Sequence, residues 1–146
     1  MNEIRHFVRF REGFTHPRAD DPLEQYRKTL LEAATYMQQH LEFQNIDCRT
    51  PQWNDGHFVI PCAVRGRAYD VAVRHDSGGC DWFEVHYPRT VGRIGRLLGK
   101  EEHNEMMLLS SALQTALQEH RDIQDIRWYR KPFAAPEKGY SRIPIR

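Results

Sequence analysis

No run of the sequence approaches the ~18 apolar residues that a membrane span requires, so no transmembrane segment is expected. The first residues, MNEIRHFVRFREGF, are broken by charges every second or third position and contain neither an apolar stretch nor a small-residue cleavage site, which predicts a cytoplasmic protein. Cysteine is scarce. Cys48, Cys62 and Cys80 are odd in number and not closely spaced, a pattern that fits neither a disulfide framework nor a CxxC metal knuckle; reduced thiols are expected. Net charge is only +1, so no global field draws the chain to nucleic acid or anionic lipid. Lysine is rare, at 4 against 17 arginines, a skew that a GC-rich genome produces without any function behind it. There is no Walker loop, GxSxG, HExxH or Rossmann glycine pattern, and no cofactor or metal is expected.

What remains is ordinary for one globular domain, read as residues 1–146, of 146 residues with 40% apolar and 28% charged side chains. Residues 4 to 11 alternate as a first strand, with Ile4, His6, Val8 and Phe10 on one side. Asp21-Pro22-Leu23-Glu24 then combines a capping aspartate, a proline at the first helical position and an acid three residues past the cap. The helix that starts there carries Leu23, Tyr26, Leu30, Ala33, Met37 and Leu41 on one face and ends near Gln44-Asn45. RTPQWNDG reads as loop.

From 57 to 88 the apolar period falls to two. A turn at Arg65-Gly66 pairs Val64 with Arg67, Ile60 with Val71 and Phe58 with Val73, while Pro61 marks a strand with one side unpaired. The third strand places Val73 opposite Phe83 and Val71 opposite Val85, leaving 76 to 80 as loop. A second amphipathic helix presents Met106, Leu109, Leu113, Ala116 or Leu117 and His120, widened by Met107, Leu108 and Ala112, and DIQDIRWYR is a last strand. Residues 131–146 read as a proline-rich extended arm. The expected class is α+β: an antiparallel sheet of about four to five strands with two helices on one face, in the order (β)-α-β-β-β-α-β.

HDSGGCDWFEVH, residues 75 to 86, has the composition of a metal or catalytic site. Strand parity argues otherwise, since His75 and His86 point to opposite faces. Cys80 and His86 are separated by six residues of strand, about 20 Å at ~3.3 Å each, too far for a thiol and its base. The register above sets His86 across from Asp70 and Arg74 across from Trp82; a slip of two would pair His86 with Ala72 and Arg74 with Glu84. The outer face thus joins Trp82 to Asp70, Arg74, Glu84 and His86, the composition of a protein-binding patch. Alternatively the N-terminal strand or the tail covers Trp82.

Downstream, Gly92-x-x-Gly95 in VGRIGRLLG resembles the GxxG loop of KH RNA-binding domains, where that loop joins two helices and clamps a nucleic-acid strand. Arg89, Arg93, Arg96 and Lys100 would form a basic stripe able to hold phosphate if 90 to 100 were helical. Here strand and proline precede the motif instead of helix, so nucleic acid is the third reading. The order helix, three-strand meander, helix, strand is similar to that of secretion chaperones and of several bacterial immunity proteins, which implies a non-enzymatic module binding another protein, such as a toxin, an effector or an enzyme. The competing reading is a small enzyme using Asp70 and His86 as an acid–base pair.

Overall fold

The computed structural model describes residues 4–14, 21–75, 82–87, 99–130 and 139–145. Helix α1 runs from Pro22 to Phe43, and the Asp21 carboxylate accepts from Leu23 N at 3.0 Å, satisfying one of the donors a helix start leaves open. Gln44 closes it, with Asn45 in the left-handed region at φ 65°. Leu30, Ala33, Ala34, Met37 and Leu41 are buried. Leu23 departs from the expected stripe at 67% exposure, because it lies in the first turn, ahead of Tyr26, itself only partly buried. Helix α2, Gly99–Glu119, buries Met106, Leu109, Ala112, Leu113, Ala116 and Leu117, whereas Leu108 faces outward. The helices are joined through Tyr36 OH donating to Ala116 O and Gln44 Nε2 donating to Ala112 O.

Among the described residues seven antiparallel strands form one sheet: β1 Phe7–Arg11, β2 Asp47–Cys48, β3 Gln52–Asn54, β4 His57–Val64, β5 Arg67–His75, β6 Trp82–His86 and β7 Gln124–Tyr129. Their order is β2-β4-β5-β6-β1-β7, with β3 also paired to β4. The class is α+β, as expected, and the strand count is higher by β2, just after α1, and by β3, which RTPQWNDG contributes where loop was predicted. Strands of two or three residues are too short to show a period. Pro61 falls at the break between β2 and β3: its carbonyl accepts from Arg49 N at 2.8 Å, and the N–H it lacks would point to that same interrupted edge.

The β4–β5 register is the predicted one, Val64 facing Arg67, Ile60 facing Val71 and Phe58 facing Val73. Two tight reversals frame it, Asp55-Gly56 (φ 51° and 90°) and Arg65-Gly66 (φ 51° and 81°), both positive pairs of the type I′ hairpin turn. Arginine is poorly suited to such a φ. Arg65→Asn is therefore expected to raise stability by about 0.5–1 kcal/mol, seen as a higher thermal unfolding midpoint.

The β5–β6 register differs from expectation by two residues: His75 faces Phe83, Val73 faces Val85, Arg74 faces Glu84 and Ala72 faces His86. A two-residue slip keeps every side chain on its own face, so apolar pairing alone does not discriminate between the two.

The helices cover one face, where Val8, Phe10, Phe58, Ile60, Val71, Val73, Phe83, Val85 and Trp128 meet α1 and α2. Polar groups buried in this layer are paired. Glu105 accepts from Tyr69 OH at 3.0 Å and meets Arg67 Nε at 2.8 Å, Ser110 Oγ donates to Arg5 O, and Trp128 Nε1 donates to Gln114 Oε1 at 2.6 Å. Ser141 exchanges both backbone hydrogen bonds with Trp128, and Arg5 N donates to Pro144 O, so residues 141 to 144 run beside the sheet. Residues 131–138 of the predicted arm lie outside the described residues. Among the described residues no helix is long and apolar enough to cross a membrane.

Candidate binding face

The helix-free face of the sheet takes the alternate residues of each strand: Arg9 and Arg11 of β1, His57 and Val59 of β4, Asp70, Ala72 and Arg74 of β5, Trp82, Glu84 and His86 of β6, and Arg127 and Tyr129 of β7. All five residues expected there from sequence, Asp70, Arg74, Trp82, Glu84 and His86, share it. His75 is on the other side, its ring 4.7 Å from Phe83, so the two histidines of the 75–86 stretch do point apart. Cys80 lies outside the described residues.

The partners of these residues are not those first expected. Trp82 is not stacked by Arg74. The guanidiniums of Arg11 and Arg127 lie over its ring, 4.9 and 5.1 Å from the ring centre, and only 7% of the residue is exposed. The N-terminal strand thus covers Trp82 in part, through one arginine. Arg127 also lies 4.4 Å from the Tyr140 ring, and Arg11 pairs with Asp125 at the bulge of β7.

His86 does not face Asp70. Its cross-strand neighbour is Ala72, its ring stacks on Phe7 at 5.2 Å, and its Nδ1 is 3.3 Å from Glu84 Oε1. The carboxylate beside this imidazole is therefore Glu84, while Asp70, exposed and opposite Pro61, is a diagonal neighbour. The other Glu84 oxygen meets Arg9 Nε at 3.2 Å, and both side chains of this pair are about a tenth exposed. Burial works against ionisation of Glu84, but His86 and Arg9 outweigh it and hold the carboxyl below its ordinary range.

Beside this buried trio opens a cleft of about 450 Å³ between β3, β4, β5 and β6, lined by Trp53, His57, Asp70, Arg74 and His86 among others. Arg74 Nε is buried there with no hydrogen bond among the described residues. Burial, and then the nearby Arg74 charge, push the His57 pKa below the ordinary histidine value, which disfavours its charged form. Trp53 of β3 also borders the cleft, while its ring packs on Phe58 and the core with Arg27 of α1 5.2 Å away. The walls thus present the Arg74 guanidinium, two imidazoles and the Asp70 carboxylate over an apolar floor of Val59, Pro61 and Ala72, with Arg74 as the group suited to meet an anion.

His57 has the parity of Val59 and was legible by alternation. Arg9, Arg11 and Arg127 were not, because their strands join this face only through the strand order. The basic stripe falls elsewhere: Arg89, Arg93 and Arg96, with the GxxG motif, and the side chain of Lys100 lie outside the described residues. Among the described residues no three His, Cys, Asp or Glu side chains gather as a metal would require. Compared with protein-family models, curated proteins and solved structures, the chain matches none.

Proposed function

We propose that this chain is a non-enzymatic protein-binding module of the cytoplasm, in the manner of an inhibitor, a bacterial immunity protein or a secretion chaperone, and that it receives an acidic segment of its partner on the helix-free sheet face. The observation that carries this reading is Arg74, whose Nε is buried in an open cleft with no hydrogen bond among the described residues. A buried donor left without an acceptor costs roughly 1–3 kcal/mol, which an incoming carboxylate relieves while gaining a charge-assisted bond. On the same face Arg11 and Arg127, held over the ring of the buried Trp82, supply a cationic surface of the residue type that anchors many interfaces. The partner is a toxin, an effector or an enzyme with an acidic, extended recognition segment.

The test is affinity capture with the wild type, Arg74→Glu and, as a control on the far side of the molecule, Phe43→Ser, an exposed α1 residue. One partner should be recovered by the wild type and the control, and at least tenfold less by Arg74→Glu, with unchanged circular dichroism for all three. Equal recovery by Arg74→Glu removes this face from the proposal.

A further inference from the structure

Cys48 and Cys62 are directly facing residues of β2 and β4. The hydrogen bond from Arg49 N to Pro61 O flanks them, which makes them a non-hydrogen-bonded pair, the narrow kind in which facing Cα atoms are about 4.5 Å apart. That spacing falls within the roughly 4.4–6.8 Å over which a disulfide can close. Their sulfurs are 3.4 Å apart, and both cysteines are free. The two thiols are not equivalent. Cys62 is buried in the core, whereas Cys48 is partly exposed. The contact between the two sulfurs holds the Cys48 pKa below the ordinary thiol range against burial, Glu42 and Asp47, and the same contact with burial drives that of Cys62 far up. Thiolate character therefore falls on the thiol that solvent reaches.

We propose that Cys48 and Cys62 form a redox-active dithiol, Cys48 attacking and Cys62 resolving, which closes to an intramolecular disulfide when it meets a hydroperoxide. The Cys48 thiolate attacks one peroxide oxygen; the O–O bond breaks, Cys48 becomes a sulfenic acid, and the other oxygen leaves as water after taking a proton. The Cys62 sulfur then attacks the sulfenic sulfur; the S–S bond forms, the S–O bond breaks, and hydroxide leaves as water with the proton of Cys62. Two thiols supply two electrons, and hydrogen peroxide is reduced to two waters. The ring so closed spans residues 48 to 62 and contains β3, so it holds Trp53 and His57 of the cleft described above. The dithiol stands on its own geometry and does not depend on the binding reading.

The experiment exposes the reduced full chain to stoichiometric hydrogen peroxide, counts free thiols after denaturation, and maps cross-linked peptides by mass spectrometry without reduction. Two of the three thiols should disappear, a peptide joining Cys48 to Cys62 should appear two hydrogens lighter, and the melting temperature should rise by roughly 5–10 °C and return on reduction. Cys80→Ser should respond as wild type. Cys62→Ser should instead yield a Cys48 sulfenic acid, trapped by dimedone, with no rise in melting temperature. A link to Cys80, a link between chains, or oxidation of Cys80 while Cys48 and Cys62 stay reduced would overturn the proposal.

Discussion

Replacing Glu84 with alanine will lower stability by about 3–5 kcal/mol at neutral pH, because it strands the Arg9 guanidinium beside β6 with its counter-ion gone and both side chains almost out of water. The cost is that of an uncompensated buried charge. Replacing both partners together, Arg9→Met with Glu84→Leu, should therefore restore most of the loss, a result that surface ion pairs never give. The difference between wild type and Glu84→Ala should also depend on pH. The folded carboxyl titrates below its ordinary value of 4.5, so its contribution is fully present above about that pH and disappears as pH falls through the folded value. Urea unfolding at a series of pH values should show the two proteins converging in acid. A Glu84→Ala variant within 1 kcal/mol of wild type at pH 7 would show that the pair is not coupled.

Trp128→Ala should be comparably damaging, at about 3–5 kcal/mol from the lost side chain alone. The indole is fully buried in β7, packed into the core beneath α2. Its Nε1 donates to Gln114 Oε1, and truncation leaves that oxygen buried without its donor, adding roughly 1–3 kcal/mol. Against a typical total of about 5–15 kcal/mol, the variant will be largely unfolded at physiological temperature. Trp128→Phe separates the two contributions, since it keeps most of the apolar contact and loses only the hydrogen bond. It should unfold at a denaturant midpoint between wild type and alanine, measured by circular dichroism because the substitution removes a fluorophore. Equal midpoints for the phenylalanine variant and wild type would assign the whole effect to packing.

The parts of this fold that were legible are those where chemistry and periodicity coincide. Asp21-Pro22 marks the start of α1 and Arg65-Gly66 marks a reversal whose length sets the β4–β5 register. Face membership was equally accessible, because a period of two assigns Asp70, Arg74, Trp82, Glu84 and His86 to one side whatever their partners. Who touches whom was not. The β5–β6 connection can shift by two residues without moving any side chain to the wrong face, and that shift exchanges Asp70 for Ala72 opposite His86, and Trp82 for Glu84 opposite Arg74. The arginines on Trp82 come from strands at either end of the chain, and local pattern carries no information on which strands become neighbours. Cys48 and Cys62 were hidden for a related reason, since β2 has two residues and no period at all.

The place of β1 bears on how the chain reaches its native state. Phe7 pairs both with His86 of β6 and with Tyr129 of β7, so a strand made ahead of α1 finds its two neighbours only in segments made well after it. The α1 helix and the β4–β5–β6 meander can assemble during synthesis and take β1 beside β6, but the other edge of β1 stays unpaired until β7 has been made. Pairings this distant in sequence slow folding. The nascent protein is thus expected to pass through a stage with an unzipped sheet border along β1, when it is most exposed to misassociation with other chains.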